Sequence, residues 1–143
     1  MRIMALDLGT KRVGVALSDE LGLTAQGLTV IERGSHQEFL AEIGRLAEKH
    51  GATTVVLGLP RRMDGSLGPE AQRALAMARE IKKHLGLETT TWDERLTTAA
   101  VERVLLEADV SRSKRRKVRD KLAAAYILQC YLDHLSAGRS RAE

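Results

Sequence analysis

Disulfide chemistry is missing from this sequence: Cys130 is its only cysteine, so neither an intrachain disulfide nor a cysteine zinc cluster can form. Proline occurs only at Pro60 and Pro69, and no internal repeat or low-complexity stretch is present, which excludes fibrous and disordered classes. The aromatic side chains are Phe39, Trp92, Tyr126 and Tyr131, too few to build a stacking platform for single strands. No apolar run approaches the roughly 18 residues of a membrane span. Met1–Asp7 lacks the long apolar stretch and small-residue cleavage site of a secretory signal, so a cytoplasmic location without membrane attachment is expected. The four histidines, His36, His50, His84 and His134, show no metal-ligand spacing.

What is present is one domain's worth of chain. The 143 residues are 43% apolar and 29% charged, an ordinary globular balance. Residues 1–138 are expected to form a single domain, followed by a short tail over 139–143. The net charge is +4, but it is unevenly placed. Between Ser111 and Lys121, seven basic side chains face Asp120 alone, a local charge of +6, which leaves the other 132 residues at −2. A mildly acidic body with one basic block suggests a polyanionic partner, nucleic acid before anionic lipid. A solvated loop that is merely basic would look the same in composition.

Period-two patterning predicts strands at Arg2–Leu8, Val13–Ser18 and Gly27–Ile31, with Gly9 to Arg12 short enough for a hairpin turn. Phe39, Leu40, Ile43, Leu46 and Ala47 recur at helical spacing, and Gly51 stands where a helix ends. The β-branched run Thr53–Leu59 is that of a strand covered on both faces. An irregular loop follows Pro60, and Pro69 opens a second helix closed by Gly86. Glu88–Asp93 predicts a fifth strand, weakly apolar and near an edge. A third helix is expected from Thr97 or Thr98 through Val101, Val104, Leu105 and Ala108, and a last one from about Lys117 to Leu135, with Gly138 as its stop. The order β-β-β-α-β-α-β-α-α implies an α/β fold: three antiparallel strands extended by two parallel ones through right-handed crossovers, with helices on both faces.

Three acids stand out in this frame. Asp7 carries a carboxylate into a central strand, which is costly unless the group is paired or bound to a cation; it could also start a turn by bonding its own backbone. Glu94 lies just past the fifth strand, at the end where α/β sheets form ligand crevices. Asp93 is adjacent, alternation sends the two side chains apart, and only one can face such a crevice. An acidic pair at a helix entry is the plainer alternative. Asp120 begins the helical stripe Ala124, Ile127, Leu128, Tyr131 and Leu135, one turn before three alanines that would let the helix lie close to the sheet. It could also be a counter-charge to its basic neighbours. Three carboxylates meeting in one crevice would suit Mg²⁺ or Mn²⁺ and phosphodiester hydrolysis. Thr10, Lys11 and Arg12 beside Asp7, Arg95 beside Glu94, Arg61 and Arg62 on the glycine-rich loop, and Lys114, Arg115, Arg116 and Lys117 are candidate phosphate contacts. Asp64 would steady that loop.

Asp7-Leu8-Gly9-Thr10-Lys11-Arg12-Val13-Gly14-Val15-Ala16, Val56-Leu57-Gly58-Leu59-Pro60 with Met63-Asp64-Gly65, Asp93-Glu94-Arg95-Leu96-Thr97, and Lys117-Val118 through Asp120 and Ala123 together resemble the YqgF/RuvX family, in order and over nearly the whole chain. The resemblance implies an RNase H-like fold related to Holliday-junction resolvases and a nuclease maturing the 5′ end of pre-16S rRNA. It also implies that Asp7, Glu94 and Asp120 are the metal-binding acids. The expected partner is pre-rRNA or branched DNA, and the protein could be a monomer or a homodimer. Two alternatives are a resolvase-type DNA endonuclease and a non-catalytic RNA-binding assembly factor. An actin-like ATPase loop at Asp7 to Thr10 would need a second lobe, for which this chain is too short.

Overall fold

The computed structural model describes residues 2–93 and 112–142, with side chains of the second segment over 118–138. The elements are β1 (Arg2–Leu8), β2 (Arg12–Ser18), β3 (Ala25–Glu32), α1 (His36–His50), β4 (Ala52–Leu59), α2 (Pro69–Leu85), β5 (Glu88–Asp93) and α3 (Arg112–Ala142). The described strands form one sheet in the order β3-β2-β1-β4-β5. β1, β2 and β3 are antiparallel neighbours, and β4 and β5 add in parallel to β1. This is the expected mixed five-stranded sheet, with β5 at an edge.

Side-chain alternation sorts the core into two layers. Met4, Leu6, Val13, Val15, Val55 and Leu57 point to one face and pack on Phe39, Ile43 and Leu46 of α1 and on Met77 and Ile81 of α2. Ala5, Ala16 and Val56 point to the other face, against Ala124, Ile127, Leu128 and Leu132 of α3. Large residues fill the first layer and small ones the second, so α3 rides closer to the sheet. Gly51 and Gly86 end α1 and α2 in the left-handed conformation, at φ 68° and 66°, where a Cβ would strain the backbone.

β2, β3 and β4 run one or two residues beyond the expected bounds, and both ends of the last helix depart further. The last helix begins at Arg112 and runs to Ala142, not from Lys117 to Leu135. Arginine and lysine are good helix formers, so the basic block is its opening turns. One glycine costs a helix only about 1 kcal/mol, so Gly138 does not stop it, and residues 139–142, expected as a tail, are helical. The helix expected from Thr97 or Thr98 lies outside the described residues. No helix among those described is long and apolar enough to cross a membrane.

Candidate functional site

Asp7 lies near the C-terminal end of β1, half-buried, on the face that α3 covers. Its cross-strand partner is Gly14. A Cβ built on Gly14 would stand 2.0 Å from the backbone carbonyl oxygen of Asp120, so only glycine lets α3 cross at this point. The helix therefore brings Asp120 over the residue paired with Asp7. The same close approach recurs one strand outward, where a Cβ on Gly27 would meet Lys121 Cβ at 2.9 Å. Two acids separated by more than a hundred residues thus share one rim of the sheet.

Asp120 is mostly shielded, its side chain 16% exposed, and Arg12 Nε stands 3.1 Å from its Oδ2. The pair lacks hydrogen-bond geometry and is held by charge: Oδ2 is shut off from water and accepts no hydrogen bond among the described residues. A carboxylate oxygen in that condition has coordination left to give. An oxygen-seeking divalent cation would satisfy it. Among the described residues no group of three or more His, Cys, Asp or Glu is placed to hold an ion. Asp7 and Asp120 supply two acids, and Glu94 and Arg95 lie outside the described residues.

The β1–β2 turn borders this rim. Gly9 N–H donates to the Arg12 carbonyl at 2.9 Å, closing the expected hairpin and leaving Thr10 and Lys11 exposed at its tip. A groove of about 290 Å³ runs beside the turn, lined by Gly9, Thr10, Lys11, Arg12, Glu32, Arg119 and Asp120. A smaller one of about 140 Å³ opens on the α2 side of the turn, with Arg33 and Arg73 in its wall. Glu32, Arg33 and Arg119 are groove residues that motif reading did not single out. The signal for the first two was the antiparallel register, which pairs Arg12 with Glu32. Arg33 then anchors the turn, its N–H donating to the Lys11 carbonyl at 2.8 Å and its Nη1 to the Gly9 carbonyl at 3.1 Å.

Trp92 packs edge-on against Tyr131 of α3, ring centroids 6.0 Å apart, so alternation turns Asp93 to the opposite face. There Arg61 Nε lies 3.9 Å from Asp93 Oδ2, beside the row where Leu59 packs on Ala71 and Ala74. Asp93 is therefore not on the face of Asp7. Arg61 and Arg62 sit on the exposed loop over residues 60–68. Asp64 steadies that loop as expected: its Oδ1 accepts from Ser66 N–H at 2.9 Å and Ser66 Oγ at 2.6 Å, and these bonds lower its pKa. Lys114, Arg115, Arg116 and Lys117 fall in the opening turns of α3. Burial, and then the Asp133 carboxylate, push the Cys130 thiol up, away from nucleophile chemistry.

Comparison with known proteins finds relatives over nearly the whole chain. A family profile described as "RuvX: Holliday junction resolvase" matches residues 1–134. A Clostridium botulinum (strain Hall) protein named "Putative pre-16S rRNA nuclease" is 53% identical over 136 residues, covering 95% of this chain and 99% of that one. A Moorella thermoacetica protein of the same name is 56% identical over 135 residues, covering 94% and 96%. Among solved structures, Thermus thermophilus RuvC in complex with a Holliday junction substrate aligns with a TM-score of 0.59 at 15% identity, covering 95% and 96%. The fowlpox virus resolvase bound to junction DNA gives 0.59 at 12% identity, covering 94% and 99%. At such identities the likeness is one of fold, the RNase H-like fold of these resolvases.

Proposed function

The chain belongs to the RuvX family, and from that premise we propose that it is a divalent-metal-dependent nuclease acting on structured RNA, whose task is processing the 5′ end of pre-16S rRNA. The observation that carries this reading is the convergence of Asp7 and Asp120 at one rim, with a carboxylate oxygen of Asp120 shielded and lacking a hydrogen bond. Glu94 is the third proposed acid, since its neighbour Asp93 is engaged by Arg61 on the other face. These three would hold Mg²⁺ or Mn²⁺. The chemistry an ion supplies in such a site is activation of water and charge relief at the leaving oxygen of a phosphodiester.

The chain's own residues do the rest. Arg12 stands against Asp120 as its counter-charge. Thr10 and Lys11, presented by the hairpin tip, reach toward phosphate oxygens of a strand lying in the groove, with Arg119 on its wall. Arg61 and Arg62 add cations on the neighbouring loop, and Arg95 is a further candidate phosphate contact. Lys114, Arg115, Arg116 and Lys117 draw the polyanion to the site by long-range attraction. The partner is thus nucleic acid, met in the cytoplasm.

Asp7→Asn keeps the shape of the side chain and removes its charge. With Mg²⁺ or Mn²⁺ and a pre-16S RNA substrate, cleavage is expected to drop by about 10²–10³-fold, the scale of removing one preorganised electrostatic group. Undiminished cleavage refutes the assignment. The resolvase-like fold gives a second reading, an endonuclease of branched DNA. A four-way DNA junction run beside the RNA decides between them, and a resolvase that nicks symmetric strands would also be a dimer.

A further inference from the structure

The loop over residues 60–68 leaves the carboxyl end of β4 on the same rim as the two acids, yet its tip takes no part in the chemistry above. That tip is Met63, 81% exposed, the most exposed large apolar side chain among the described residues. The loop around it is tied down. Gly65 N–H donates to the Arg62 carbonyl at 2.8 Å, closing a turn with Met63 and Asp64 at its centre, and Arg62 N–H donates to the Ser66 carbonyl at 3.0 Å. Arg61 Nη1 donates to the Gly65 carbonyl at 3.2 Å, and Asp64 is bonded to Ser66 as described.

Turn centres usually carry polar or glycine residues. An apolar side chain held out in water by a stiffened loop gives up burial, and the fold gains nothing from it. Met63 and the less exposed Leu67 on the same loop are also far smaller together than the patch of several hundred Å² that a docking protein covers, which favours penetration over surface contact. Methionine is unbranched and polarisable and fills irregular apolar gaps. Apolar side chains of this kind enter between stacked bases and open the step. Aromatic wedges are scarce here: Phe39 is buried in the α1 layer, Trp92 is packed on Tyr131 and His134, and the exposed Tyr126 stands along α3 and not at a loop tip. Arg61 and Arg62, immediately before Met63 and both exposed, add positive charge beside the tip.

We propose that Met63 is an apolar wedge that enters structured RNA at a bulge or branch, unstacks one base step, and so fixes the register of the strand lying along the groove. The proposal rests on the reading of the chain as a nuclease for structured RNA and names the feature of that RNA which is selected. Because the loop is ordered before binding, little ordering cost is left for the encounter.

The test uses the full chain and an RNA duplex carrying a two-nucleotide bulge, with 2-aminopurine at the adjoining step, in the absence of divalent ions so that no cleavage intervenes. Binding of the unaltered protein is expected to raise 2-aminopurine fluorescence and to prefer the bulged over the continuous duplex. Met63→Ala, at an exposed position where folding is unaffected, is expected to abolish the rise and cut that preference about 10-fold, the order of one lost base contact. Met63→Leu is expected to keep both. A Met63→Ala protein that retains the rise and the preference overturns the wedge, as does an unaltered protein that binds both duplexes alike. Failure of the nuclease reading looks different: no cleavage with any metal, while the fluorescence rise at the bulge persists.

Discussion

Gly14 sets how near the last helix can come to the acid on the central strand. Adding a methyl group there puts it 2.0 Å from a backbone oxygen of Asp120, and backbone cannot rotate away as a side-chain tip can. Gly14→Ala is therefore expected to lose about 1–3 kcal/mol of stability, the usual cost of overpacking, and to lose cleavage activity as Asp120 is displaced. Gly27→Ala, which meets a side-chain Cβ at 2.9 Å, should cost less. Urea midpoints and cleavage rates of the two variants check the order, and a Gly14→Ala protein with native stability and activity would contradict it. The sequence makes Gly14 readable as a point of close approach, because two glycines flank a tight turn beside an acid. That Asp120 comes near the sheet is readable from the three alanines after it, whereas its contact with Gly14 depends on where α3 crosses β2. The same holds for Arg12. As a cation next to Asp7 it reads as a phosphate contact, whereas the fold sets it on Asp120.

Strands and helices were legible wherever one face differs chemically from the other. Arg2–Leu8 alternates, and Thr53–Leu59 is nearly continuously apolar because helices cover both sides of Val55, Val56 and Leu57. The ends of α3 were not legible, because its opening is cationic and its close contains a glycine, and neither feature stops a helix of otherwise good helix formers. The 60–68 loop could be read as a loop, and its internal order rests on Asp64. Hydrogen bonds from the Ser66 hydroxyl, and then from its N–H, hold the Asp64 carboxyl below its ordinary value of 3.8. A depressed folded-state pKa stabilises the loop above the unfolded value and releases it as pH falls through the folded one. The Ser66 amide resonance is thus expected to stay constant from neutral pH to about 4, at the unfolded aspartate value, and to move below it. Asp64→Asn should flatten that acid-side change. A Ser66 amide that shifts between pH 5 and 7, or that titrates identically in the variant, would rule out this account of the loop's order.

At the scale of the molecule, charge is divided: a body of net −2 carries an eleven-residue stretch of net +6 at the start of α3. Such a division steers a polyanion toward one end without making the whole surface adhesive. On the proposed function the acids need this arrangement, since carboxylates alone would repel the phosphates of a nucleic acid. Binding to RNA should accordingly weaken as salt rises, each engaged cation contributing roughly 0.7–0.9 to the slope of log K against log salt. Replacing Lys114, Arg115, Arg116 and Lys117 together by alanine, the residue that best keeps a helix, is expected to lower that slope by about 3 if all four meet phosphates. Thermal stability should barely change, because alanine keeps the helix at each of the four positions. Fluorescence anisotropy titrations at several salt concentrations measure the slope, and a variant whose slope equals that of the unaltered protein would show that the basic block faces solvent and that the attraction comes from the groove cations alone.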